Sequence, residues 1–249
     1  MPTRLVVLAS LCVLSRALSA SPLLWHNESI SVLQGDHYEV TPARQTTVTL
    51  ETASGWAWGD MFAFVDFINF NDSSCETAVY GEITPRWSTS WLSGKQISAG
   101  IIDDVMLITG YEAGRGDVET GLLGAGFNLN VNRFTFLHVD LIQRLPNGGR
   151  DGETVQITTA WAYPFSIGSI DALIDGYTDW VVNSDGSFHR NLHFNPQIKV
   201  DLGKIVGMKK GSLWTGLEYD YWHNKFGIKN SSSFDTDQSA FSALIKYHF

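Results

Sequence analysis

Two cysteines are all that the 249 residues contain, and after the first twenty residues no long apolar run occurs. A basic residue, an apolar run and small residues up to Ala20 follow one another in the order of a secretory signal peptide. We therefore predict cleavage near Ala20, with Ser19 as the alternative site and an uncleaved amphipathic N-terminus as the alternative interpretation. Cleavage removes Cys12 and leaves only Cys75, which excludes an internal disulfide. Because a membrane helix needs roughly 20 apolar residues, a membrane protein of this composition has to be a β-barrel.

Basic residues are also scarce. The chain has 17 Lys and Arg against 26 Asp and Glu, and removal of residues 1–20 leaves 15 basic residues and a net charge near −11. A chain with this charge is repelled by phosphate groups. The composition therefore argues against nucleic acids and anionic lipid headgroups as binding partners.

Catalytic motifs are absent as well. The sequence contains no Gly-x-Ser-x-Gly, no His-Glu-x-x-His and no Gly-x-x-x-x-Gly-Lys, the motifs of serine hydrolases, zinc proteases and phosphate-binding loops. A barrel lipase would need a Ser beside a His on the outer wall, whereas the pattern directs His138 and His193 to the interior. The other histidines show no metal-ligand spacing. We expect a protein that is not an enzyme and that uses no metal or cofactor.

What the sequence does have is alternation of apolar and polar residues, most clearly in its last stretch, Gln238 to Phe249. One parity holds apolar and aromatic residues, and the other holds polar residues with Leu244 as the exception. A barrel of the bacterial outer membrane closes its last strand against its first and carries aromatic residues at the membrane interface. We therefore predict that this stretch is the closing strand and that the barrel-assembly machinery binds it through Phe249.

Similar alternation divides the chain into about twelve strands. This predicts an all-β protein, a transmembrane antiparallel β-barrel that forms one domain over residues 21–249 after the signal peptide of residues 1–20. Strands of about 10 residues argue against a soluble sandwich or lipocalin-like barrel, whose strands average about 5 to 6. Short links are predicted in the periplasm near Gly55, Asn132 and Phe165, long polar links outside near Ser73, Gly149, Asp185 and Ser232, and intermediate links near Trp91 and Gly207.

Parity within each strand assigns its side chains to two faces. Pro85 cannot donate to a ladder, so we predict a bulge or an unpaired site there. The lipid face is predicted to include Val65, Leu137, Val139, Trp161, Ile198, Leu217 and Tyr247. The interior is predicted to include the charged or ionisable residues Asp66, Glu82, Arg86, His138, Asp140, Asp175, Lys199, Asp201, Glu218 and Asp220, and the aromatic residues Phe62, Phe64, Tyr80, Phe134, Phe136, Tyr177 and Trp222. These side chains either fill a narrow barrel or line a channel whose rings stack on a flat solute while polar groups bind its hydroxyls.

Several segments carry a resemblance to a known family. They are Trp25-His26-Asn27, residues 60–67 (DMFAFVDF), 80–88 (YGEITPRWS), 195–201 (NPQIKVD) and 218–223 (EYDYWH). In this order they resemble the nucleoside-specific outer-membrane channels, the Tsx-like and OmpK-like family, over essentially the whole mature chain. The resemblance implies a twelve-stranded barrel around a narrow passage for nucleosides, and it carries over Phe62, Phe64, Asp66, Glu82 and Arg86. The chain departs from the family in its irregular segment Gly100 to Glu112 and its compact outer loops.

Pattern and resemblance together predict a monomeric channel of the bacterial outer membrane. It would allow passive diffusion of nucleosides or similar small flat polar solutes and would contact outer-membrane lipids. The predicted channel lining is Phe62, Phe64, Asp66, Tyr80, Glu82, Arg86, His138, Asp140, Asp175, Lys199, Glu218 and Trp222. The alternatives are a general small-solute porin, a surface receptor or structural barrel, and, with less support, an outer-membrane lipid-modifying enzyme.

Overall fold

The computed structural model describes residues 23–71, 77–116, 118–147 and 152–249. The predicted signal peptide, Cys75 and the centres of the predicted loops near Ser73 and Gly149 lie outside these residues. Within the described residues, twelve strands form one closed antiparallel barrel, in which each strand pairs with its neighbours in sequence and the last pairs with the first. The prediction of a barrel of about twelve strands is confirmed.

The strands vary little in length. They are β1 (Leu23–Asp36), β2 (Gln45–Trp56), β3 (Gly59–Phe70), β4 (Ala78–Ser88), β5 (Ile102–Gly114), β6 (Val118–Leu129), β7 (Phe136–Pro146), β8 (Thr154–Ile167), β9 (Ile170–Val181), β10 (Asn191–Asp201), β11 (Leu213–His223) and β12 (Gln238–His248). Two short helices, α1 (Thr89–Ser93) and α2 (Leu202–Ile205), and a one-turn 3-10 helix (Lys225–Gly227) lie in the links. No helix of the described residues is long and apolar enough to cross a membrane.

The barrel closes where β12 pairs with β1. The register runs from Ser29 opposite His248 to Asp36 opposite Phe241, so the predicted closing strand is confirmed. Since the strand number is even, both ends of the described chain lie at one end of the barrel, here called the near end. The links β1–β2, β3–β4, β5–β6, β7–β8, β9–β10 and β11–β12 lie at the opposite, far end.

Contacts through the interior establish which face each side chain occupies. Arg86 on β4 lies 2.9 Å from Asp140 on β7, although β5 and β6 separate these strands in the wall. Both side chains therefore point inward. Because side chains alternate along a strand, Leu137 and Val139 point outward and His138 points inward, as predicted.

The outward face is apolar and is bordered by aromatic rings at both ends. Exposed apolar residues on this face include Val32, Leu50, Val65, Leu123, Leu141, Ile198, Leu217 and Ile245. At the near end the ring of Trp58 stacks on Trp56 and packs at a tilt against Trp87. At the far end Tyr219 packs at a tilt against Phe241 with ring centroids 4.7 Å apart. An apolar band between two aromatic girdles is the outer surface of a transmembrane barrel.

Pro85, Pro164 and Pro196 sit inside strands at points where one neighbouring strand offers no ladder partner. The pairing of β4 with β5 is interrupted between Ile83 and Arg86, around Pro85, with no change of register; the predicted unpaired site is present and a bulge is not. Pro164 pairs only with β9, because the pairing of β8 with β7 ends at Ala162. A residue without an N–H is tolerated at such positions. Strand β8 consequently continues past the predicted turn near Phe165 and ends at Ile167.

The predicted irregular segment Gly100 to Glu112 is mostly strand. It forms most of β5, and its register shifts between Ile102 and Asp104. The shift explains why Asp103 and Asp104 break the alternation in the sequence, since a bulge moves one residue out of phase.

Candidate functional site

An arginine cluster fills the interior near the near end. Arg86 donates to Asp140 at 2.9 Å and to Asp60 at 3.2 Å, and the Nε2 atom of His138 lies 3.6 Å from Asp140. Gly126 lies beside this cluster, and a Cβ there would meet the Asp140 Oδ1 atom at 1.9 Å. Since Asp140 is buried and paired with Arg86, it has nowhere to move. Only glycine fits at this position of the wall.

The other basic side chains of the interior strands are paired in the same way. Lys199 donates to Asp175 at 2.7 Å, Lys246 donates to Glu51 at 2.6 Å, and Arg144 donates to Glu112. A buried charge is tolerated when it has a partner of opposite sign. These pairs neutralise the basic groups that point inward from the strands.

A second set of carboxyl groups has only neutral partners. Asp66 accepts from Thr49 at 2.6 Å, Glu82 from Thr84 at 2.5 Å, Asp179 from Thr158 at 2.6 Å and Glu218 from Gln197 at 2.8 Å. None of the four forms an ion pair with any residue in the described part of the chain. The interior therefore contains more acid than its bases can neutralise.

These four carboxyl groups come from opposing walls. Strands β4 and β9, which carry Glu82 and Asp179, are five strands apart in the ring of twelve. Even so, Glu82 and Asp179 interact electrostatically, as do Asp66 and Glu218. The carboxyl groups of the two walls therefore influence one another across the interior, and together they are called the acidic band.

An aromatic strip lies beside this band on β3 and β4. The ring centroids of Phe62 and Phe64 are 5.9 Å apart, and those of Phe64 and Tyr80 are 5.7 Å apart. In the strand pairing, Phe64 lies opposite Glu82 and Tyr80 lies opposite Asp66. The five residues form a surface of rings edged by two carboxyl groups.

A second aromatic group faces the interior from β9, β10 and β11. The ring of His193 stacks on Trp222 at 3.8 Å, and the edge of Tyr177 meets His193 at 5.0 Å. The Nε2 atom of His193 lies 2.9 Å from Asp220, which holds the imidazole ring in this orientation. Aromatic rings and carboxyl groups thus occur together on both walls.

Two outer links meet over the far end of the interior. The ammonium group of Lys225 hydrogen-bonds Gln238 and lies over the rings of Tyr38 and Phe226. The Tyr38 hydroxyl hydrogen-bonds Ser242 at 2.6 Å. Burial raises the pKa of Tyr38 and lowers the pKa of Lys225 to about 8. This cluster narrows the far mouth of the barrel.

The twelve residues predicted to line the channel all lie on the inward parity, in four places. Arg86 is with His138 and Asp140; Lys199 is with Asp175; Phe62, Phe64 and Tyr80 are with Asp66 and Glu82; and Glu218 and Trp222 are on the opposite wall. The resemblance carried over Phe62, Phe64, Asp66, Glu82 and Arg86. The first four form one surface, and Arg86 belongs to the ion-paired cluster.

Two interior predictions need correction. Phe134 lies before β7 begins, and its ring meets the edge of Tyr163 on the outward parity, because the chain turns between Asn130 and Thr135. Asp201 does point inward, but its carboxylate accepts from the backbone N–H groups of Lys204 and Gly211 and so caps α2. Neither residue is available to a solute in the lumen.

The predicted lining missed several ionisable interior residues, among them Glu51, Asp60, Glu112, Arg144, Asp179, His193 and Lys246. The sequence pattern placed Asp179 at the start of the loop near Asp185, whereas β9 extends to Val181. Glu112 lies in the segment whose alternation is broken by the bulge. The inward parity of His193 was visible in the sequence, and its stacking on Trp222 was not. No group of His, Cys, Asp or Glu in the described residues is arranged to hold a metal ion.

Comparison with known proteins places this barrel among channel proteins. The family model described as "Nucleoside-specific channel-forming protein, Tsx" matches residues 25–249. "Outer membrane protein OmpK" of Vibrio parahaemolyticus is 21% identical over 212 residues, which cover 76% of this chain and 73% of that protein. Among solved structures, the KdgM porin matches 89% of this chain and 99% of its own, with a TM-score of 0.53 at 9% identity. The KdgM porin in complex with disordered oligogalacturonate has the same coverage, with a TM-score of 0.51 at 10% identity. At these identities the structural matches establish the fold alone.

Proposed function

Because the chain belongs to the nucleoside-specific channel-forming family Tsx and is an outer-membrane channel, we propose that it conducts nucleosides or similarly flat polar solutes. Movement is passive and follows the concentration gradient. The near end, which carries the termini, faces the periplasm. One chain forms the complete barrel, and we propose that it acts as a monomer.

The observation that supports this proposal is the aromatic strip of Phe62, Phe64 and Tyr80 beside Asp66 and Glu82. A nucleobase has a flat apolar face that stacks on aromatic rings, and each stacked base contributes about 1–3 kcal/mol. The ribose hydroxyls donate hydrogen bonds, for which carboxyl oxygens are the acceptors. A sugar of equal size can use the carboxyl groups but gains much less from the rings.

The acidic band adds a second criterion, the charge of the solute. Four carboxyl groups form no ion pair among the described residues, and Arg144 beside them already pairs with Glu112, so acidic groups outnumber basic groups along the band. A phosphate group is therefore disfavoured there. We infer that the channel prefers nucleosides to nucleotides.

Solute flux into proteoliposomes tests the proposal. Purified protein is compared for a nucleoside, the matching nucleotide, a neutral sugar of similar size and galacturonate. We expect the nucleoside to enter fastest and both anions slowest. Phe64→Ala should lower nucleoside flux about fivefold or more and should change sugar flux little. Phe67→Ala is the matched control, because Phe67 lies on the same strand and faces outward.

The carboxyl contribution is tested by Asp66→Asn. We expect this variant to lower the nucleoside-to-sugar flux ratio less than Phe64→Ala does, since an amide oxygen still accepts one hydrogen bond. If wild-type protein passes nucleoside and sugar equally and neither variant changes the ratio, the nucleoside assignment fails. A general small-solute pore would then be the function.

A further inference from the structure

The links at the near end of the barrel carry a charge opposite to that of the whole chain. These five links contain five basic residues and no acidic residue, whereas the six links at the far end contain nine acidic and six basic residues. The five basic residues are Lys95, Arg133, Lys204, Lys209 and Lys210. The net charge of the chain argues against anionic lipid headgroups as partners, but it conceals a basic rim at one end.

Two of these links also expose large apolar side chains beside their lysines. The link that contains α1 exposes Trp91 at 44% and Leu92 at 52%, and the link that contains α2 exposes Ile205 at 57% and Val206 at 58%. The two links leave the barrel between β4 and β5 and between β10 and β11, six strands apart in the ring of twelve. They therefore lie on opposite sides of the near end.

Both links are held in defined conformations. The Ser88 hydroxyl accepts from the backbone N–H of Trp91 at 3.0 Å and caps α1. Asp201 accepts from the N–H groups of Lys204 at 2.9 Å and Gly211 at 2.7 Å, which closes the α2 link into a compact loop. The exposed apolar side chains are consequently carried by backbone of defined conformation.

The α1 link continues the lipid-facing girdle. Trp87 packs against Trp58 on the outer surface with ring centroids 4.6 Å apart, and α1 begins two residues after Trp87. Aromatic girdles mark the depth of the membrane interface. An exposed Trp and Leu immediately beyond the girdle lie at the level of the lipid headgroups, where such side chains insert between lipids.

We propose that these two links bind anionic glycerophospholipids of the periplasmic leaflet. Their apolar side chains insert at the acyl boundary, and their lysines contact the phosphate groups. Lys204 and Lys210 share Asp171, at 2.9 and 2.7 Å. Lys95 and Lys209 form no ion pair with the described residues and are free to contact phosphate. Each lysine near an anionic surface strengthens binding by about fivefold.

Native mass spectrometry of the full-length barrel in detergent tests the proposal. The probes are phosphatidylglycerol, phosphatidylcholine and lipid A, each added alone. The test variant is Lys209→Gln/Lys210→Gln, and the matched control is Arg190→Gln/Lys229→Gln at the far end. We expect wild-type protein to retain phosphatidylglycerol over phosphatidylcholine, the test variant to lose about 25-fold in phosphatidylglycerol affinity, and the control to lose little. Heat-modifiable migration shows that each variant is folded.

The inference is overturned if wild-type protein retains phosphatidylglycerol and phosphatidylcholine equally. That result is expected if the basic rim binds an acidic protein instead of anionic lipid. It is also overturned if both double variants lose affinity alike. A third result would also overturn the inference. If wild-type protein binds lipid A more tightly than phosphatidylglycerol, and the test variant loses this binding, the near end lies in the outer leaflet. Neither variant touches the lumen, so nucleoside flux should be unchanged, and the outcome is independent of the proposed solute.

Discussion

The interior of the barrel has two regions that use carboxyl groups differently. In the near half, Asp140, Asp175 and Glu51 each lie within 2.9 Å of a basic side chain. In the middle, Asp66 and Glu82 have threonine hydroxyls as their partners. The near half is therefore neutralised and cross-linked from within, and the middle retains acidic groups that can still interact with whatever enters.

The comparison separates structural from solute-binding ionisable residues. A charge buried with its partner holds strands together and has little left to offer a solute. A carboxyl group bonded only to one hydroxyl keeps other lone pairs free. Inward-facing carboxyl groups therefore have different roles, although they share residue type and parity. The partner of each carboxyl group decides which role it has.

The largest effect is expected from breaking the paired region. Arg86→Ala leaves Asp60 and Asp140 buried without their partner. We expect the free energy of unfolding to fall by about 3–5 kcal/mol, measured by urea titration of protein refolded in lipid vesicles. Arg190→Ala, at an exposed far-end position, should change it by less than about 1 kcal/mol. Similar losses for the two variants would show that the arginine cluster does not support the barrel.

A smaller effect, on selectivity and not on stability, is expected from the unpaired region. Glu82→Gln/Glu218→Gln removes one carboxyl group of the acidic band from each wall. The preference for cations over anions is measured as a reversal potential in planar bilayers, and we expect it to fall about fivefold. The reason is that two nearby charges change the energy of a passing ion by about 1 kcal/mol at an effective dielectric between those of protein and water.

The control for this variant is Glu119→Gln, which alters an exposed carboxyl group on the outward parity of β6. Its reversal potential should match that of wild-type protein. If the double variant also keeps the wild-type potential, or loses stability as Arg86→Ala does, the distinction between the two regions fails.

The smallest effect on either region is expected from a change outside the lumen. We propose that the barrel-assembly machinery recognises Phe249, which is 74% exposed beside Tyr247 and hydrogen-bonds the Glu28 carbonyl through its N–H. Phe249→Ala should lower the amount of folded protein in the outer membrane severalfold, whereas Ser231→Ala in a far-end link should not. The barrels that do form should keep wild-type stability and selectivity. Equal yields of heat-modifiable barrel for the two variants would contradict this role.

Alternation of apolar and polar residues in the sequence was sufficient to predict the fold. The period of two along each strand placed Leu137 and Val139 outside and His138 inside, because a strand can satisfy a lipid face and a polar lumen only by alternating. Alternation failed where the backbone departs from a regular ladder. The bulge in β5 breaks the alternation at Asp103 and Asp104, and Pro164 suggested a turn where β8 in fact continues.

The sequence by itself determined the number of strands, their faces and the residue types that point into the lumen, because these depend only on neighbours along one strand. Tertiary structure alone decided which of those residues are paired. Arg86 contacts Asp140 from three strands away, and Glu82 interacts electrostatically with Asp179 from five strands away. Closure of the barrel brings such residues together, and a pattern of period two carries no information about distances across the ring.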